Sequence, residues 1–248
     1  MGLLDHINLT DVLVFDIETV PMARSFSELD SPFKELWEER ALRYMDPESD
    51  ETIEENFFNN AGVRAEFAKV ICISAGYFSK NSTGQLGFRI KSFASATEKE
   101  VLTGFAQLLN EHFPNFEKHK LCGHNLKEFD VPFLSRRMLV KEVALPALLN
   151  LAGAKPWHVP HLDTMELWKF GDRKSYTSLK LLAALLNVPT PKDDIDGSDV
   201  AKVFWVDGDL DRIRKYCQKD VLAVAQILLK FKSMPLISED DVTFVDEE

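Results

Sequence analysis

Apolar residues recur along this chain at two periods, and the switches between them mark its elements. Residues 11–17, DVLVFDI, form a short apolar run that ends in acids and then Thr19-Val20-Pro21. The run predicts a buried strand closed at Pro21, because proline cannot extend a central ladder. Residues 32–45 set Phe33, Leu36, Trp37, Ala41 and Tyr44 at helical spacing, whereas the acidic stretch 46–60 shows no period and predicts a mobile loop. Residues 69–78 read as a buried strand and 85–93 as a second, with Leu86, Phe88 and Ile90 on one face. The turn residues Asn81-Ser82-Thr83-Gly84 between them suggest a hairpin. Thr97 and Glu100 stand at capping-box spacing ahead of Val101, Leu102, Phe105, Leu108 and Leu109, which predicts a helix to about 113. A short strand at 119–123 and a helix at 131–140, with Pro132 in its first turn, come next. Further helices are expected at 143–152, 177–188 and 211–232.

Strands and helices interleave around one core, so the expected class is α/β, a mixed central sheet flanked by helices. Nothing in the pattern reads as a repeat or a linker. The expected organisation is one domain over residues 1–237, carrying one large insertion at 21–66, with a loose acidic tail at 238–248.

The 248 residues suffice for one good-sized core, and 45% apolar with 28% charged residues is ordinary globular composition. No apolar run reaches the ~18 residues of a spanning helix. The first residues lack a basic region followed by an apolar one, so no signal peptide is read and no membrane partner is expected. Cys72, Cys122 and Cys217 are odd in number and lie at no metal or redox spacing; they read as buried structural thiols and fit a cytoplasmic location. The formal charge of −11 argues at first against a nucleic-acid partner. Segments 46–66 and 238–248 contribute −6 each, however, which leaves the rest of the chain at +1. That remainder permits a phosphate-bearing substrate but predicts no long, tight footprint.

Three acidic motifs carry the candidate chemistry. Asp16 and Glu18 stand at i and i+2 on a strand end, so both point to one face, where two carboxylates repel unless a cation sits between them. Asp130 follows Gly123-His124-Asn125 at a helix start, where an Asp also serves as an N-cap. Tyr216 and Asp220 are i and i+4 on the last helix, at the border of its buried face. Taken together, four carboxylates from a strand end, a helix start and a helix face can converge on two divalent ions ~3.5–4 Å apart. Such a site drives in-line displacement at phosphorus, and Tyr216 can orient the attacking water.

In order, FDIET, N-x-x-x-F-D and Y-x-x-x-D resemble the three exonuclease motifs of the DEDD superfamily in its tyrosine-containing branch, on an RNase H-like (DnaQ-like) fold. The chain is especially similar to predicted exonucleases related to the proofreading domain of family B DNA polymerases. DIETVP, HLD at 161–163, SLKLLAALLNVP at 178–189 and DGSDV at 196–200 add to the resemblance, which runs from about residue 12 to 232. It implies that Asp16, Glu18, Asp130 and Asp220 bind two Mg²⁺ or Mn²⁺ ions and that Tyr216 orients the nucleophile. It also implies stepwise release of nucleoside monophosphates from the 3′ end of single-stranded nucleic acid, DNA favoured over RNA.

Thr19 and Asn125 lie beside the acids and are candidates for contact with the terminal nucleotide; Phe129 is a candidate for base stacking, against a core role. Lys169, Arg173, Lys174 and Lys180 form a basic stretch that suits backbone phosphate. His161 and Asp163 read as a hydrogen-bonded structural pair rather than metal ligands. Two other functions compete. One is a haloacid dehalogenase-like phosphohydrolase, which normally has Asp where this chain has Glu18; the other is a non-catalytic nucleic-acid- or protein-binding module on the same fold.

Overall fold

The computed structural model describes residues 4–46, 48–80, 84–172, 174–189 and 195–245. In chain order the elements are β1 (Val12–Pro21), α1 (Ser31–Tyr44), α2 (Ile53–Asn60), β2 (Ala68–Lys80), β3 (Leu86–Ala94), α3 (Glu98–His112), β4 (Lys120–Gly123), α4 (Asp130–Val140), β5 (Leu162–Asp163), α5 (Thr164–Lys169), α6 (Leu179–Leu185), α7 (Val200–Lys202), α8 (Leu210–Phe231) and β6 (Val242–Phe244). Among the described residues six strands form one sheet in the order β5-β4-β1-β2-β3-β6. The β1–β2 and β2–β3 pairs are antiparallel, and β4 on β1, β5 on β4 and β6 on β3 are parallel. This is the mixed α/β sheet that the alternating periods imply. Among the described residues no helix is long and apolar enough to cross a membrane.

The period of two along β1 decides where its acids point. Leu13, Phe15 and Ile17 join the core under α3 and α4. Val12 and Val14 join the core under α6 and α8. Asp16 and Glu18 continue the even row, so they face α8. Every apolar residue of β1 from Val12 to Phe15 is fully buried, as expected for a strand covered on both faces. Behind α4, the buried Arg137 guanidinium donates to both Glu98 carboxylate oxygens, at 2.8 and 2.7 Å, and to the Ala65 carbonyl at 2.8 Å. Glu98 also accepts the Val70 N–H at 2.9 Å. This buried ion pair fixes α4 against α3 and β2.

Several expectations are corrected. Residues 53–60 are helical rather than a mobile loop. Thr52 and Glu55 form a reciprocal capping box and Phe57 is buried, so an acidic segment folds by seating one aromatic on Trp37 at 5.3 Å. Residues 143–152 form no α-helix; only a 3₁₀ turn, Ala147–Leu149, occurs there, because Pro146 lacks an N–H and pushes Leu145 away from helical backbone. Thr97 makes no side-chain cap on α3. Instead the Ser95 hydroxyl donates to Glu100 at 2.7 Å and accepts the Thr97 N–H at 3.0 Å. The tail contributes β6 through Val242, Thr243 and Phe244, whose alternation of apolar and polar residues suits the sheet edge beside β3. The hairpin residues 81–83 lie outside the described residues.

Candidate active site

β4 is only four residues long, and its ladder with β1 ends at the Val14–Cys122 pair. Beyond that point the edge of β1 is open, and the chain leaving β4 turns across it. Gly123 is required there: a Cβ would stand 2.7 Å from Leu126 Cδ1 and 3.1 Å from the Phe15 carbonyl oxygen. Asn125 follows with a left-handed φ of +62°. The Asp163 carboxylate clamps this turn, accepting the Asn125 and Lys127 N–H groups at 3.0 Å each while also capping α5 through the N–H groups of Met165 and Glu166. The turn delivers Asp130 to the first position of α4, where the backbone N–H groups of Asp130 itself and of Ile17 on β1 favour its ionised form. A helix on one face of the sheet thereby places an acid beside Asp16 and Glu18.

Among the described residues Asp16, Glu18 and Cys217 form a group that could hold a metal ion, one ligating atom from each lying within 4.8 Å of the others. Asp130 and Asp220 stand outside that group but act on it electrostatically. Burial raises the Asp16 carboxyl well above its ordinary range, with Asp130 and Asp220 raising it further. Glu18, 7% exposed, is raised by burial first and then by Asp16 and Asp220. Asp130, 3% exposed, is pushed up to about 7 by burial, against the backbone N–H groups that hold it down. The Tyr216 hydroxyl hydrogen-bonds Asp220, and burial together with Asp220, Glu18 and Asp16 pushes its pKa up, so the phenol stays protonated. Burial is the largest influence on Asp16, Glu18 and Asp130 alike. Oxygen-rich, desolvated acids that raise the cost of one another's ionisation are a donor set that fits divalent cations.

The other sequence candidates have diverse placements. The Thr19 hydroxyl donates to the Gly62 carbonyl at 2.7 Å, tying the end of β1 to the insertion. The Asn125 side-chain oxygen is buried without a partner among the described residues. Phe129 packs on Phe133 at 5.2 Å against the α3–α4 core. Lys180 is exposed on α6 and acts on Asp196. Lys169 lines a cleft of about 890 Å³ between α4 and α5, Lys174 is exposed, and Arg173 lies outside the described residues. His161 and Asp163 do not pair with each other. His161 accepts the Leu121 N–H at 3.3 Å and donates to the Leu148 carbonyl at 2.8 Å, and burial lowers its pKa to about 4.

The sequence alone marks Cys217 only as a buried thiol. It is buried, and its Sγ donates to the Asp16 carbonyl at 3.4 Å and carboxylate at 3.6 Å. Its place between Tyr216 and Asp220 on α8 is the signal that could point to the site.

On this mixed sheet Asp16 and Glu18, at the end of the first strand, lie within electrostatic reach of Asp130 at a helix start and Asp220 on the last helix. A family model described as "Predicted 3'-5' exonuclease related to the exonuclease domain of PolB" matches residues 61–241, and the chain belongs to that family. One similar solved structure is the family B DNA polymerase from the hyperthermophilic archaeon Pyrobaculum calidifontis. It shows 18% identity and a TM-score of 0.48, with 88% of this chain and 24% of that chain covered. The chain thus spans about a quarter of that polymerase. No curated protein sequence matches it.

Proposed function

We propose that this protein is a metal-dependent 3′–5′ exonuclease that removes nucleoside monophosphates from the 3′ end of a single strand, DNA before RNA, with two Mg²⁺ or Mn²⁺ ions as cofactors. The observation that carries this reading is that Asp130 and Asp220, each over a hundred residues from β1 in sequence, come close enough to Asp16 and Glu18 to raise the cost of ionising both. Family membership supports the reaction class.

In this reading Asp16, Glu18, Asp130 and Asp220 are the metal ligands. Bound divalent ions supply Lewis acidity toward the scissile phosphate and lower the pKa of the attacking water. Glu18 and Asp130 are nearly dry, which strengthens their hold on cations. Asp130 opens α4, and its carboxyl lies close enough to β1 for the Ile17 N–H to favour its ionised form. Tyr216, protonated and hydrogen-bonded to Asp220, offers a neutral hydroxyl to orient the attacking water. Asn125, with a buried unpartnered amide oxygen, and Thr19 flank the site and contact the terminal nucleotide. Phe129 and Lys180 remain candidates for the substrate side, the first behind the site and the second on the exposed surface of α6.

The test is a gel assay on 5′-labelled single-stranded DNA and RNA with Mn²⁺ and with chelator. Metal-dependent laddering from the 3′ end that Asp16→Ala and Asp220→Ala abolish, in folded protein, is the expected result. Laddering by either variant at the wild-type rate would refute the assignment.

A further inference from the structure

Just past Glu18, on the same side of the sheet, stands a cation that makes no ion pair among the described residues. Lys69 pairs with Val20 across β1 and β2. Its ammonium sits 4.6 Å from the ring centroid of Phe204 and 4.4 Å from that of Trp205. Among the described residues it has no hydrogen-bond acceptor either. The two aromatics, edge to face at 4.9 Å, belong to a five-residue π-helical turn, Val203–Asp207, that links α7 to α8. Such turns are rare and often occur at functional sites. The Trp205 indole N–H donates to the Pro21 carbonyl at 3.1 Å, which locks the turn to the end of β1. Phe204, Trp205 and Tyr216 are all half-buried against one apolar cluster with Val20 and Cys72, so this platform adjoins the acid site.

The charges around Lys69 favour an anion. Glu98 raises its pKa from a distance, and Lys141 acts in the opposite sense. Glu98 is already held by the Arg137 guanidinium and has Lys141 at 3.5 Å, so Lys69, Lys141, Arg137 and Glu98 together carry +2. Desolvation of Lys69 lowers its pKa, a cost that a bound anion removes. Two residues along a strand span roughly 7 Å, so this positive spot lies about one nucleotide from the carboxylates.

Resting on the functional reading above, we propose that Lys69, propped on Phe204 and Trp205, is a subsite for a backbone phosphate of the single strand adjoining the scissile one. The two rings against its ammonium offer attraction but no hydrogen bond, which leaves its three N–H donors for a phosphate oxygen to satisfy. The aromatic prop fixes the ammonium before the strand arrives and lessens the entropy lost on binding.

The test compares Lys69→Met, which keeps a flexible apolar stem on the two rings, and Lys69→Arg, which keeps the charge. Both are made in an Asp16→Asn background, where cleavage is removed, and thermal melts establish folding. Anisotropy with a short 5′-fluorescein-labelled DNA strand is recorded across a salt series. The expected result for Lys69→Met is roughly tenfold weaker binding and a salt slope about 0.7 shallower, the change that follows when one phosphate fewer is neutralised. Lys69→Arg should restore most of both. With the wild-type site, Lys69→Met should raise KM by a similar factor and change kcat little. Binding and slope like the parent's in Lys69→Met would overturn the subsite while leaving the exonuclease reading intact. Should the parent fail to bind the strand, and the wild type fail to ladder it, both proposals fall together.

Discussion

Asp130→Asn should stabilise the metal-free protein, and the gain should grow with pH. Asp130 is 3% exposed and its carboxyl is displaced from the ordinary 3.8 up to about 7. The folded-state pKa is raised above the unfolded one, so the folded state holds the extra proton between those values. Stability from this group is therefore fully present below the unfolded pKa and lost as pH rises through about 7. At pH 8 the burden is on the order of 4 kcal/mol; near pH 4 it falls to about 0.5 kcal/mol. Asparagine keeps the size and an acceptor oxygen but cannot ionise, so it escapes most of that burden. Allowing for imperfect replacement, a gain of about 3 kcal/mol at pH 8 corresponds to roughly 6–12 °C in Tm for a domain of this size. Thermal melts in chelator, variant against wild type from pH 4 to 8, measure it. A gain independent of pH, or a loss at pH 8, would refute the electrostatic reasoning. Saturating Mn²⁺ should reverse the order, because the wild type gains binding energy that the variant forfeits.

Other expectations follow from the scaffold. Arg137→Met leaves the buried Glu98 carboxylate without its guanidinium and should cost roughly 3–5 kcal/mol in denaturant unfolding; a loss below about 1 kcal/mol would show that the pair is not structurally important. Gly123→Ala pushes a methyl into Leu126 and the Phe15 carbonyl, and a loss of roughly 1–3 kcal/mol together with weaker metal binding is expected by calorimetry. His161, whose folded pKa is lowered to about 4, should stay neutral in an NMR titration down to about pH 5. Its contribution to stability is present above the ordinary 6.5 and is lost as pH falls from there toward about 4; a midpoint near 6.5 would contradict the buried hydrogen-bonded placement.

The strongly periodic parts of the fold are legible in the sequence. The alternation along residues 12–18 decides which way Asp16 and Glu18 point, and the 3.6-residue pattern of α3 and α8 places both helices to within a residue or two. Short elements are not legible. β5 has two residues and β6 three, too few for a period, and their pairing is decided by neighbours distant in sequence. α2 is hidden because its acids mask the pattern of one buried aromatic, although Thr52 and Glu55 already spell its cap. The meeting of the site acids can be inferred from their spacing only as a convergence. What brings Asp130 to the site, the truncated β4 ladder and the turn that follows it, is a tertiary fact with no local signature. The same holds for Lys69, whose aromatic prop lies more than a hundred residues away in the chain.

The central claim is that acids from β1, α4 and α8 share divalent cations. It is tested most directly by counting Mn²⁺ bound per chain by electron paramagnetic resonance, for the wild type and for Asp16→Asn, Asp130→Asn and Asp220→Asn. The account predicts two ions for the wild type and weakened or lost binding in every variant. Wild-type occupancy and affinity in any one of the three would contradict it.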